Sequence, residues 1–233
     1  FVLNKDSMFK NFSRNKSSFL NFRQSNHKHR KSVKFKEKLI ILGDIGYFNN
    51  TLRQLVNICN IKLTNSDKII LLGDNFYPDG VSSLYDRLWY SYNQIFKNIP
   101  KNLVYSILGN HDYHQNPLCQ LNNNYWSTPS SYYKLSFNNY TDLFFIDTVQ
   151  LYPGHCYISK NIIENVHKKP IYQLINEQIQ WLDNELSKSN NKNKIVFGHY
   201  PIISNGAYKD QMKPLYKLLY PIFKKHNVKV SVV

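Results

Sequence analysis

At four places in this 233-residue chain, metal-ligating or acid–base side chains directly follow an apolar run. They are Gly43-Asp44, Gly73-Asp74 with Tyr77 three residues on, Gly109-Asn110-His111-Asp112, and Gly198-His199. Carboxylates, a phenol, an amide oxygen and an imidazole nitrogen form a mixed oxygen and nitrogen set. Such a set suits Fe, Zn or Mn better than Ca, whose sites are built from oxygen. A carboxylate shared by two ions holds them about 3.5–4 Å apart, the arrangement that clamps phosphoryl oxygens and activates water for phosphoester hydrolysis. Singly, each piece is ordinary. Gly-Asp and Pro-Asp-Gly are turn chemistry, and a lone His before Tyr200-Pro201 reads equally as a satisfied core residue. Gly-Asn-His-Asp is more specific, because a turn needs no three functional side chains in succession. Four such ends in one chain point to a site.

The elements that must position these residues are legible as alternating patterns. Lys38–Gly43, Lys68–Gly73 and Leu103–Gly109 are short apolar runs ending in glycine, with helical spacing over Asn50–Asn60 and Ser82–Phe96. That order is βαβ logic and predicts a largely parallel region. In such a sheet, ligands bind in the crevice beyond the carboxyl ends of the strands. Glycine lets the chain turn there, so that the next side chain enters the crevice. Further along, Ser131–Phe137 and Asp142–Thr148 flank Asn138-Asn139 as a hairpin. Tyr172–Leu186 is an amphipathic helix with Ile175, Ile179, Leu182 and Leu186 on one stripe. Lys194–His199 is another buried strand. Lys213–Lys225 is helical in pattern but is expected to break at its prolines, Pro214 and Pro221. Val228–Val233 is a last strand.

Composition bounds the reading. With 42% hydrophobic residues the chain is globular and long enough for a substantial core. The formal charge of +15 is concentrated at the N-terminus, where Phe1 to Lys38 holds eleven Lys or Arg against two acids. This stretch has no clear period and reads as a poorly ordered basic leader, 1–37, ahead of a domain at 38–233. A nucleic-acid or anionic-membrane arm is the sharper reading of the leader, but no recognisable module accompanies it, so no specific nucleic acid is expected. No apolar run approaches the length of a membrane span. The three cysteines form no metal-type pair. A start at Phe1, with sequons at Asn11, Asn15, Asn49 and Asn139, predicts a secreted or lumenal (vacuolar) protein whose signal segment lies upstream.

GDIG (Asp44), GDNFY (Asp74, Tyr77), GNHD (Asn110, His111) and GHYP (His199) resemble the successive motifs of the calcineurin-like metallophosphoesterases. GDNFY with GHYP resembles the small purple acid phosphatases of the tartrate-resistant type. The likeness runs from about Lys38 to the end, through FIDTVQL (Phe145–Leu151) and the QIQWLDNEL helix. It implies an α/β fold, a β-sandwich flanked by helices on both sides. It implies a ferric ion on Asp44 and Tyr77, Asp74 bridging to a second, divalent ion (Fe, Zn or Mn), and Asn110 and His199 on that second ion. His111 would then be the catalytic residue, orienting the phosphate or protonating the leaving oxygen of a phosphomonoester. Substrate would meet Asn110, His111 and His114; Tyr47, Tyr113 and Asn205 also lie beside the motifs as pocket candidates. The resemblance implies one more motif, Gly-His-x-His, beyond the strand at Val228–Val233, so the domain is expected to be C-terminally incomplete here. The expected function is phosphomonoester hydrolysis at acidic pH. The alternative is a catalytically impaired phosphatase-fold protein acting as a binding or anchoring module.

Overall fold

The computed structural model describes residues 37–60, 63–204, 206 and 211–232. The basic leader, but for its last residue, and Asn205 lie outside the described residues. The first half builds β1 (Leu39–Leu42), α1 (Asn50–Asn60), β2 (Lys68–Leu71), α2 (Arg87–Phe96) and β3 (Val104–Ser106). Its three strands are parallel in the order β1-β2-β3. The second half builds β4 (Tyr133–Asn138), β5 (Thr141–Phe145), α3 (Thr148–Leu151), α4 (Lys160–His167), α5 (Ile171–Lys188), β6 (Asn193–Phe197), α6 (Lys213–Lys225) and β7 (Val230–Val232). Its sheet runs β4-β5-β6-β7, with β4 and β5 antiparallel and the remaining pairs parallel.

Alternation along each strand explains how the layers stack. One face of the first sheet carries Leu39, Ile41, Ile70, Leu72, Tyr105 and Ile107, which pack against Tyr133, Leu143, Phe145 and Phe197 of the second. The opposite face of the first sheet, Ile40, Leu42, Ile69, Leu71 and Val104, packs on Leu52 and Val56 of α1 and Trp89, Tyr92 and Ile95 of α2. The outer face of the second sheet, Phe144 and Val196, packs on Leu174, Leu182 and Leu186 of α5 and Leu215, Leu219 and Phe223 of α6. Strands covered on both faces must be apolar throughout, which is why KIIL and LFF read as continuous runs rather than alternating ones. Each fully buried aliphatic or aromatic side chain stabilises the stack by about 1.5–3 kcal/mol. The result is a β-sandwich with helices outside both sheets, as the resemblance implied.

Three local expectations are corrected. The helix expected from Ser82 begins at Arg87, because Asp86 is its N-cap. The Asp86 carboxylate accepts from Leu88 N (3.1 Å) and also from Ser82 N and Oγ (3.1 Å each), so Ser82–Asp86 wraps around it as a turn. Helix α6 does not break. Pro214 sits in its first turn, where a missing N–H costs nothing. Pro221 is exposed, and the buried stripe Leu215, Leu219 and Phe223 holds both halves of the helix to the sheet. Helix α4 has no counterpart in the sequence reading. It is eight residues long, and Ser159 caps it by accepting from Ile162 N at 3.4 Å.

Candidate metal centre

The four chemistry-bearing segments leave the carboxyl ends of β1, β2, β3 and β6, and the sandwich brings those ends together. Asp44 and Asp74 each follow a strand by two or three residues, and both have left-handed backbone, φ 53° and 50°. A non-glycine residue tolerates that conformation only when its surroundings hold it, and such strain clusters at functional sites. Here the loops hold each other: Gly46 N donates to Asp74 O (3.2 Å) and Tyr77 N to Gly46 O (3.3 Å). The approach is so close that a Cβ on Gly46 would lie 2.4 Å from Tyr77 N, and one on Gly109 would lie 2.2 Å from both Asp74 N and Oδ1. Glycine at these two positions is therefore a requirement of packing.

The side chains converge on Asp74, which is 3% exposed. The Tyr77 hydroxyl lies 2.9 Å from Asp74 Oδ2 and 2.7 Å from Asp44 Oδ1. Asp74 Oδ1 accepts from His111 N at 3.0 Å and stands 3.4 Å from His199 Nε2. His199 Nε2 is also 3.1 Å from the Asn110 amide oxygen. The other nitrogen of His199 is 2.8 Å from the Leu72 carbonyl, which can only accept, so Nδ1 carries a proton and Nε2 is the nitrogen turned to the two oxygens. Likewise, the single phenolic proton of Tyr77 cannot satisfy both carboxylates at once. Burial first, then the hydrogen bonds and charges of the two carboxylates, push the Tyr77 phenol well above its ordinary range. In the absence of a counter-charge, that phenol keeps its proton.

This donor chemistry fits a cation centre. Nε2, an amide oxygen and a carboxylate oxygen meet at contact distance, and the phenol lies between two carboxylates. A metal pair would engage both groups. Asp44 and Tyr77 would hold one ion, Asn110 and His199 the other, and Asp74 would reach both. Among the described residues, no three His, Cys, Asp or Glu side chains form a ligand cluster by themselves. The set depends on Tyr77 and Asn110, two residue types that such a grouping leaves out.

The remaining candidates separate. His111 is not among the convergent donors. Its Nδ1 bonds the Pro78 carbonyl, and its Nε2 stands 3.9 Å from Asp74 Oδ2. His114 is exposed, its ring 5.6 Å from that of His111. Tyr47 is exposed and stacks on Tyr77 with centroids 4.5 Å apart. Tyr113 does not line the pocket. It is 1% exposed and gives its hydroxyl proton to Asp147 Oδ2 at 2.6 Å, because the residue after Asp112 points back into the second sheet's core.

Asp112, read as the third functional side chain of its run, is instead wholly buried. It accepts from Gly109 N (2.8 Å), Asn75 N (3.1 Å) and Gln120 Nε2 (2.9 Å). It ties the Asp74 loop to the Asn110 loop, and burial together with the charge of Asp74 pushes its carboxyl up to about 6. Two residues that the sequence reading missed support His199. Thr148 Oγ1 accepts from His199 N (3.1 Å) and Tyr200 N (2.8 Å). Asp147 caps the same turn, accepting from Val149 N (3.0 Å) and Gln150 N (3.1 Å). An Asp-Thr pair at a strand end is the signal that was available for them.

The profile of the calcineurin-like phosphoesterase family matches residues 37–233. Human tartrate-resistant acid phosphatase type 5 is 30% identical over 188 residues, covering 72% of this chain and 57% of that protein. Purple acid phosphatase 3 of Arabidopsis thaliana is 32% identical over 178 residues, covering 71% of this chain and 47% of its own length. The chain thus spans about half of the length of these relatives. Among solved structures, one titled GAP50, the anchor in the inner membrane complex of Plasmodium, superimposes with a TM-score of 0.65. It shares 22% identity with the chain and covers 83% of it, against 64% of its own length. With a family match across nearly all of the described fold, and with the motif residues gathered at one edge of a helix-flanked sandwich, the chain belongs to the calcineurin-like phosphoesterase family.

Proposed function

We propose that this chain carries the ligand-bearing part of a binuclear Fe(III)–M(II) acid phosphatase acting on phosphate monoesters, with Fe, Zn or Mn as the divalent ion. One observation carries the reading: the Asn110 amide oxygen and Asp74 Oδ1 converge on His199 Nε2 at 3.1 and 3.4 Å. Tyr77 and Asp44 stand on the other side of the same carboxylate. The metal pair would supply Lewis acidity toward the phosphoryl oxygens and acidify a water molecule at the site.

The protein's own contribution is position and a proton. Asp74 is pinned by His111 N, so its two oxygens stay aimed at both halves of the site. His111 keeps its Nδ1 proton on the Pro78 carbonyl, which leaves Nε2 free to carry a second proton toward an ester oxygen lying beside Asp74. Donation of that proton to the departing alkoxide leaves a neutral imidazole, which recovers a proton from solvent. His114, exposed with its ring 5.6 Å from that of His111, would meet the leaving group of a substrate held there. Acidic working pH accords with a proton donor of this type, and a secreted or lumenal location would supply it.

The second reading is an anchoring module on the same scaffold. The solved neighbour titled an anchor has the same fold. Metal analysis and aryl-phosphate hydrolysis at pH 5, on the full natural protein and on Asp74→Ala, decide between the two. The expected result is bound iron with a second metal, turnover, and loss of both in Asp74→Ala. A protein that takes up no metal and hydrolyses no phosphomonoester would sink the enzyme reading in favour of the anchor.

A further inference from the structure

The two residues that would hold the second ion come from different layers. Asn110 lies beyond β3 in the first sheet, and His199 lies beyond β6 in the second. Two donors that share one ion, each about 2.0–2.2 Å from it, must stand about 3 Å apart. The Asn110 amide oxygen and His199 Nε2 are 3.1 Å apart, which is that spacing. Each turn is secured within its own layer. Asp112 ties the Asn110 turn to the first sheet through Asn75 and Gln120, and Thr148 ties the His199 turn to the second. Neither contact fixes the distance between the two turns. The bond from His199 Nδ1 to the Leu72 carbonyl does cross the layers, but it sets the ring against β2 rather than against the Asn110 turn.

Tyr113 supplies the missing bond. Its backbone belongs to the Asn110 turn, where Tyr113 N donates to Asn110 O at 3.1 Å, yet its ring is buried in the core of the second sheet. The hydroxyl donates to Asp147 Oδ2 at 2.6 Å, accepts from Gln150 Nε2 at 3.4 Å and lies 2.9 Å from His167 Nε2. Asp147 directly precedes Thr148 and caps the turn that carries it. The path from Asn110 to His199 is thus short: the Tyr113 amide, the Tyr113 hydroxyl, Asp147, and the Thr148 hydroxyl that receives His199 N. We infer that Tyr113 is a positioning residue for the divalent ion, its hydroxyl setting the distance between Asn110 and His199. The inference rests on the metal-centre reading of the site. Its effect is selective, because Asp44 and Tyr77 stand on the other side of Asp74 and are held through Gly46 and the 74–77 loop.

The test titrates Zn²⁺ into the iron-loaded full natural protein, as wild type and as Tyr113→Phe. The variant keeps the ring in the core and removes only the oxygen, and Gln150 keeps its 2.9 Å contact with His167 Nε2, so clamping is separated from packing. Tyr113→Phe is expected to raise the zinc dissociation constant by about ten- to hundredfold, the usual effect of losing a group that orients a ligand. Iron content is expected to stay unchanged, and kcat to recover at saturating zinc. A purely structural role would instead lower iron and zinc retention together and leave kcat low at any zinc concentration. That outcome, or an unchanged zinc constant, overturns the inference while leaving the metal-centre reading standing. If the wild type binds both metals but hydrolyses no ester, the zinc constants still decide the role of Tyr113. A wild type that takes up neither metal ends the metal-centre reading, and this inference with it.

Discussion

At the scale of single residues, the useful contrast is between His111 and His199. Both follow strand ends, and both give one ring nitrogen to a backbone carbonyl, Pro78 for one and Leu72 for the other. That shared device fixes the tautomer, so the second nitrogen is the reactive one in each case. The neighbours of that nitrogen decide its role. His199 Nε2 faces an amide oxygen and a carboxylate at contact distance, the setting proposed above for a metal ligand. His111 Nε2 stands back at 3.9 Å from Asp74 and keeps a third of its side chain in solvent, which suits it to meet substrate. His111→Ala is therefore expected to lower kcat by about 10²–10⁴-fold with metal content unchanged. His199→Ala is expected to lower metal content itself. Metal analysis beside steady-state kinetics separates the two outcomes, and loss of metal in His111→Ala would contradict the assignment.

At the scale of elements, the one-turn helix α3 positions the His199 loop. Asp147 caps it, Gln178 of α5 accepts from Asp147 N at 2.8 Å, and Thr148 receives the N–H groups of His199 and Tyr200. Thr148→Val keeps the shape but leaves two amide donors buried without an acceptor, a change that costs roughly 1–3 kcal/mol. Thr148→Val is expected to shift urea unfolding by that amount and to weaken metal retention. Thr148→Ser, which keeps the oxygen, is expected to do neither. Equal behaviour of the two variants would mean that methyl packing, rather than the two hydrogen bonds, holds the loop.

At the scale of the whole molecule, stability is linked to pH through partly and fully buried groups beneath the site. His167 receives the Gln150 amide at 2.9 Å and lies 2.9 Å from the Tyr113 hydroxyl. Burial, with the charge of Lys169, holds its imidazole down at about 4 from an ordinary 6.5. The unfolded chain therefore binds more protons than the folded one between these values, and stability falls with acidity across that window. His167 contributes fully above about pH 6.5, and its contribution is gone below about pH 4. Asp147, pushed up to about 6 by burial, works in the opposite sense: its contribution is full below the ordinary 3.8 and is lost as pH rises through 6. Between pH 7 and pH 5 the stability of His167→Gln is expected to improve relative to wild type by on the order of 2 kcal/mol, read from urea midpoints. Parallel pH dependences would rule out a neutral buried imidazole.

The sequence by itself determined the ligand types, their order and their association with strand ends, because apolar runs ending in glycine and a polar residue are local patterns. Its patterns also marked a parallel βαβ region and a hairpin, while the sandwich itself followed only from the resemblance of the motifs to a known family. It could not tell which way each side chain of Gly-Asn-His-Asp turns, nor that Tyr113 is core while Tyr47 is rim. Those directions depend on backbone angles set by distant contacts, such as Asp112 binding Asn75 and Gln120, or Gly46 meeting Tyr77. The Asp-Thr pair after β5 marks a helix cap locally, but nothing local pairs Thr148 with His199, 51 residues away. Only the parallel pairing of β5 with β6 brings that hydroxyl to the backbone N–H groups of His199 and Tyr200, and no local pattern encodes a neighbour supplied by another strand.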